Sequence, residues 1–200
     1  FQAWPLEAAT RTGRQPDTWE ELHGGRAPCS NKRGKTALVA HFVKGVFPEE
    51  YEPTYENTWR KTFAVGSDEF ELDIVDTAGH YEYSLIHNGC VFGIHGYIVV
   101  YSVDCERSFE IAQVLHKYLV DLHGKCPIPL LLVANKSDLP PHSRKVKYEE
   151  GKKLADSWEA AFMEVSAKDP EESKQIFTKI INEIDRVENT YGREDKCCFM

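Results

Sequence analysis

The chain has 200 residues, 42% of them hydrophobic and 28% charged, which suits one globular domain with a sizeable core. Its formal net charge of −8 excludes a broadly basic nucleic-acid surface and a polybasic membrane patch. No apolar run is long enough to span a membrane, and no secretory signal is evident.

The chain opens on Phe1 rather than Met, which reads as a fragment or as a processed or mispredicted start. Residues 1–28 do not read as folded core. Pro5, Gly13, Pro16, Gly24, Gly25 and Pro28 punctuate them, and Trp4, Leu6, Trp19 and Leu22 are scattered. A short helix over Pro16–His23 is one reading; a disordered, unrelated leader is the one adopted.

From Gly34 the pattern sharpens. Leu38, Phe42 and Val43 predict a helix over Lys35–Lys44, stopped by Gly45. Phe47–Glu56 is polar, carries Pro48 and Pro53, and predicts a long exposed loop. Thr58–Val65 and Phe70–Val75 alternate apolar and polar residues and meet at Gly66-Ser67-Asp68, a predicted hairpin. Tyr97–Tyr101 and Leu130–Val133 are unbroken apolar runs, as in strands buried on both faces, and Phe162–Val165 is a shorter strand. Helices are predicted at Glu106–His123, Lys147–Ala161 and Glu171–Glu188. Strand–helix alternation implies an α/β fold with right-handed crossovers and a mainly parallel sheet. The six cysteines (29, 90, 105, 126, 197 and 198) form no Cys-x-x-Cys pair and no zinc spacing, so those of the body are read as reduced core filler.

Several stretches carry chemistry. Cys29–Thr36 reads Cys-Ser-Asn-Lys-Arg-Gly-Lys-Thr and ends as the phosphate-binding loop G-x-x-x-x-G-K-[ST] ends. In that loop backbone N–H groups wrap phosphates, the Lys reaches the outer ones and the hydroxyl binds Mg²⁺. Asp76-Thr77-Ala78-Gly79 ends a buried strand. An Asp there can hold Mg²⁺ through water and a Gly lets backbone N–H approach a γ-phosphate; a plain turn is the alternative. Asn135-Lys136-Ser137-Asp138 ends another strand, and its carboxylate can accept two N–H bonds from the edge of guanine. Ser166-Ala167-Lys168 ends a third, where a backbone N–H could meet the guanine carbonyl or the segment is a solvated turn. Thr54 lies on the long polar loop. A hydroxyl that reaches Mg²⁺ only beside a γ-phosphate makes an order–disorder switch; otherwise Thr54 is a surface residue before a strand.

Taken together, Gly34–Met200 resembles a Ras-superfamily small GTPase, closest to the Rheb branch. Phe47–Thr58 is similar to its first switch and effector loop, Asp76–Gly79 with Tyr81–Ser84 to its second, and Val187–Gly192 to the segment before its tail. The resemblance implies a three-layer P-loop GTPase fold, a mostly parallel six-stranded sheet with helices on both faces, and nucleotide at the strands' carboxyl ends. By resemblance, GTP or GDP is held with Mg²⁺ by Asn31, Lys32, Gly34, Lys35, Thr36, Phe47, Thr54, Gly79, Asn135, Lys136, Asp138, Ser166, Ala167 and Lys168. Thr36, Thr54 and Asp76 would serve the metal, and His80, Lys35 and Thr54 would serve hydrolysis. A monomer is implied, with an effector docking through Phe47–Asn57 (the mTOR kinase complex) and a GTPase-activating protein such as tuberin. The end Cys197-Cys198-Phe199-Met200 fits C-a-a-X, hence farnesyl at Cys197 and partition between cytosol and the cytoplasmic face of endomembranes. The domain limits that follow are 1–28 leader, 29–188 GTPase domain and 189–200 flexible tail.

The chain also departs from the family. His80 stands where a Gln orients the attacking water, so intrinsic hydrolysis is expected to be slow. Cys29 replaces a Gly, and Lys32 and Arg33 either add charge near phosphate or face solvent. Arg26-Ala27-Pro28 cannot form the interior strand that should run into the phosphate loop, since Pro has no N–H for a central ladder. The first strand is therefore expected to be missing or replaced, as by a substituted first exon, an alternative transcript or a gene-model error. The competing reading is a lipid-anchored pseudo-GTPase, or a folding-impaired splice or fragment product without turnover.

Overall fold

The computed structural model describes residues 2–4, 34–48, 56–77, 94–124 and 126–191. The strands are β1 Gln2–Trp4, β2 Glu56–Val65, β3 Asp68–Thr77, β4 Gly96–Ser102, β5 Leu130–Asn135 and β6 Ala161–Val165. They form one sheet in the order β2-β3-β1-β4-β5-β6. Only β2 and β3 pair antiparallel, through the Gly66-Ser67 turn; the other described pairs are parallel. The unbroken apolar runs are the reason: every residue of β4 and β5 is buried, so helices must cover both faces.

Those helices are α1 Lys35–Lys44, α2 Glu106–His123, α3 Tyr148–Ser157 and α4 Pro170–Tyr191. Residue alternation along the strands sorts the core into two layers. Ile74, Ile98, Val100, Leu131 and Val133 face Leu38 and Phe42 of α1 and Ile176, Phe177 and Ile180 of α4. Val75, Tyr97, Val99, Leu130 and Leu132 face Ala112 and Leu119 of α2 and Ala155 of α3. Phe42 and Phe177 stack at 3.8 Å between ring centroids, joining α1 to α4. Gly96 lets α4 lie close on the sheet, since a Cβ there would come within 2.9 Å of Ile184.

Two expectations need correction. The first strand, expected to be missing or replaced, is replaced rather than missing: Gln2–Trp4 fills the slot between β3 and β4, with Gln2 opposite Asp73 and Trp4 opposite Tyr97. Buried ladder groups need partners, and these three residues, none of them Pro, can both donate and accept. The strand thus comes from the far end of the supposed leader, not from Arg26–Pro28, and residues 2–4 are strand rather than disorder. Residues 5–33 lie outside the described residues. The helix expected over Lys147–Ala161 stops at Ser157, because Trp158 caps it and Glu159, at φ 54°, turns the chain into β6. Elsewhere the structure lengthens elements rather than moving them: α4 runs to Tyr191, past the expected domain limit at 188. Among the described residues no helix is long and apolar enough to cross a membrane.

Candidate functional site

The carboxyl ends of β3, β4, β5 and β6 lie at one edge of the sheet, with Ser102, Asn135 and Val165 in register across the last three. The N-terminus of α1 opens beside them. This gathers Gly34, Lys35, Thr36, Asp76, Asn135–Asp138 and Ser166–Lys168 from across the chain. Asn31, Lys32, Thr54, Gly79, His80 and Cys197 lie outside the described residues.

Asn135 is the hub. It is buried, and its Oδ1 accepts from the backbone N–H of Lys136 (2.8 Å) and of Ala167 (3.0 Å). One amide therefore sets two loops. Gly34 packs on the same side chain: a Cβ there would fall 2.1 Å from Asn135 Nδ2, and its φ of 84° already favours glycine. Lys136 is held left-handed at φ 70°, a strain of order 1–3 kcal/mol tolerated where surroundings over-determine the backbone. Its Nζ pairs with Asp104 at 2.8 Å and 3.1 Å, pinning the lysine stem. Burial works against the Asp104 charge, but hydrogen bonds from Lys136 and Ser102 hold its pKa below the usual carboxylate range.

Asp138 accepts from Ser166 Oγ at 2.7 Å and from Lys168 Nζ at 2.6 Å. Burial raises its pKa, and the Lys168 and Ser166 bonds outweigh that, leaving it lowered. An ionised carboxylate has about four lone-pair sites, so two protein bonds leave room for the N–H edge of a base. An open depression of about 460 Å³ lies there, lined by Ser137, Asp138, Ser166, Lys168, Pro170 and Glu172 among others. Two of the loop N–H groups have protein partners. Ala167 N–H donates to Asn135, and Ser166 N–H donates to Glu172 Oε2 at 2.6 Å. Phe47 meets the His41 ring edge-to-face at 6.1 Å between centroids.

The phosphate side is built from different chemistry. The first turn of α1 carries no acidic residue, so its N–H groups and Lys35 leave the helix start electropositive, as an anion site requires. Facing it, Asp76 is fully buried, and among the described residues neither carboxylate oxygen makes a regular hydrogen bond. Burial pushes its pKa up, with the Thr36 hydroxyl and the Lys35 charge acting in the opposite sense. A buried, unsatisfied carboxylate beside a threonine hydroxyl is a donor set for a hard cation with oxygen ligands, so the residues present fit Mg²⁺.

Three contributors escaped the sequence reading. Asp104 follows the predicted β4 run without a motif of its own. Glu172 was legible only as the fourth residue of an Asp-x-x-Glu helix-start pattern, with Asp169 bonding the Glu171 N–H. His41 lies among apolar helix residues, where a core histidine is the ordinary reading.

Comparison with known proteins agrees with this geometry. Residues 30–186 match the Ras family. The chain is 52% identical to GTPase RhebL1 of Mus musculus over 167 residues, covering 84% of this chain and 90% of that protein. It is 44% identical to GTP-binding protein Rheb of Rattus norvegicus over 165 residues, 82% of this chain and 89% of that one. Against the GTP-binding protein Rheb homolog of Drosophila melanogaster it is 41% identical over 167 residues, 84% and 91% of the two chains. With that match spanning the helix start, the Asp76 carboxylate and the Asn135 hub, the chain belongs to the Ras family.

Proposed function

We propose that this chain is a Rheb-like small GTPase, a switch that binds GTP or GDP with Mg²⁺, hydrolyses GTP slowly and signals while GTP is bound. The observation that carries the reading is the pairing, at one sheet edge, of an Asn135–Asp138 base reader with the buried, unsatisfied Asp76. Asp138 selects guanine through its two-point N–H edge. Asn135, Lys136, Ser166, Ala167 and Lys168 hold that carboxylate in place, and Phe47 packs on the base. Gly34, Lys35, Asn31 and Lys32 bind the phosphates. Thr36, Thr54 and Asp76 would hold Mg²⁺, which when bound neutralises charge on the phosphate oxygens. Gly79 approaches the γ-phosphate, and His80 orients the attacking water less well than an amide would.

The GTPase domain is assigned to the strand Gln2–Trp4 together with the body through Tyr191, wider at both ends than 29–188. The Phe47–Asn57 loop would engage an effector, a kinase complex of the mTOR pathway by resemblance, and a GTPase-activating protein would supply the missing rate. Farnesyl at Cys197 would give one weak, reversible anchor to endomembranes. The family match favours this switch over a module that holds nucleotide without turnover.

The test uses the full chain. Fluorescent GTP should be retained with Mg²⁺ and lost on chelation, and single-turnover phosphate release should be slow and faster in His80→Gln. Retention that ignores Mg²⁺, or hydrolysis already rapid and unchanged by His80→Gln, would refute the corresponding half.

A further inference from the structure

His41 does more than fill the core. It sits in the last turn of α1, only 8% exposed. Its Nδ1 lies 2.9 Å from the Ala167 carbonyl, which can only accept, so Nδ1 carries the proton and donates. The same ring meets Phe47 edge-to-face at 6.1 Å between centroids and 68° between planes. Ala167 is thereby held at both backbone polar groups, its N–H by Asn135 and its carbonyl by His41.

We propose that His41 is a positioning residue that couples Phe47 to the Ser166–Lys168 loop and so sets how long guanine nucleotide stays bound. The inference rests on the nucleotide reading above. Phe47 and the Ser166–Lys168 loop approach the base from different parts of the chain, and one imidazole ties them together. Loss of the ring frees Phe47; loss of the donor strands a buried carbonyl and loosens the loop.

Two substitutions separate these effects. His41→Gln keeps an N–H donor and removes the ring; His41→Leu removes both and keeps apolar bulk. The full chain is loaded with N-methylanthraniloyl-GDP and Mg²⁺, and release is timed against excess GDP. His41→Gln should release about threefold faster, the order of one aromatic pair. His41→Leu should release about thirtyfold faster, with the buried hydrogen bond lost as well. The partial rescue by Gln is what a space-filling role would not give. Equal release by wild type and His41→Leu, or by the Gln and Leu variants, overturns the proposal. If His41→Leu does not fold, His41→Gln carries the test, and an unchanged rate overturns it. Failure of the wild type itself to retain labelled GDP overturns the nucleotide reading and this inference with it, and is seen before any variant is made.

Discussion

The two halves of the site are finished to different degrees. On the base side, Asn135, Asp104 and Asp138 each make protein hydrogen bonds, and the loop they serve is held before any ligand arrives. On the phosphate side, Asp76 is fully buried, unlike Asp104 and Asp138, and makes no regular bond among the described residues. A half that satisfies itself fixes specificity in advance. A half in which Thr36 and Lys35 only partly offset the burial of a carboxylate stays costly until a cation arrives, so ligand binding repairs a defect in the fold.

Gly34 touches both halves, and its loss should have the largest effect. Gly34→Ala combines a left-handed backbone with a clash on Asn135, so thermal or denaturant unfolding should show a cost of about 2–5 kcal/mol. Nucleotide retention should fall with it; a variant as stable as wild type would mean that the halves are not joined there.

Breaking the base half alone should come next. Asp138→Asn should weaken GDP about a hundredfold, roughly two charge-assisted hydrogen bonds. The amide can donate as well as accept, so a purine with a carbonyl in place of the 2-amino group should gain affinity. Parallel losses for both purines in competition binding would argue against base reading by Asp138.

The phosphate half should respond with opposite signs. Asp76→Asn should stabilise the nucleotide-free chain by on the order of 1 kcal/mol while weakening Mg²⁺-dependent GTP binding. Calorimetric melting and binding titration together test this; a loss in both would make Asp76 a structural residue.

Acid separates the halves further. Asp76 has a raised folded pKa, so its penalty is present above that pKa and fades as pH falls through it towards the ordinary Asp value. Asp104 and Asp138 have lowered pKa values, so their stabilisation is present above the ordinary value and is lost as pH falls through the lowered ones. Melting of the nucleotide-free chain should thus show a gain on mild acidification that disappears in Asp76→Asn, followed by a loss at lower pH that remains. The smallest effect belongs to Lys168→Met. Its ion pair with Asp138 is solvent-exposed on the lysine side, so stability should change by less than about 1 kcal/mol.

Much of this was legible in the sequence, for physical reasons that differ by element. β4 and β5 could be read because strands buried on both faces must be continuously apolar. The limits of α1 followed from helical spacing ended by Gly45. Asn135 and Asp138 were legible because their spacing has a chemical purpose. β1 was not, since Gln2-Ala3-Trp4 has no apolar alternation and is strand only because β3 and β4 need a partner. Nor were Asp104 and Glu172, whose roles arise from loops meeting across the sheet. The overlong α3 came from reading Trp158–Ala161 as helix, when the left-handed Glu159 had already turned the chain.

β1 has a kinetic consequence. β3 and β4 are not neighbours: among the described residues the hairpin β2-β3 and the trio β4-β5-β6 become one sheet only through three residues. Their partners are Asp73 and Ile74 on one side and Gly96 and Tyr97 on the other, so this pairing closes the longest stretches of chain in the sheet. Loop-closure entropy makes such a strand a late arrival in folding, after the local hairpin and the β4–β6 crossovers. A cut between Trp4 and Gly34 would leave β1 attached by pairing alone, and the sheet would become a two-part assembly whose cohesion depends on peptide concentration.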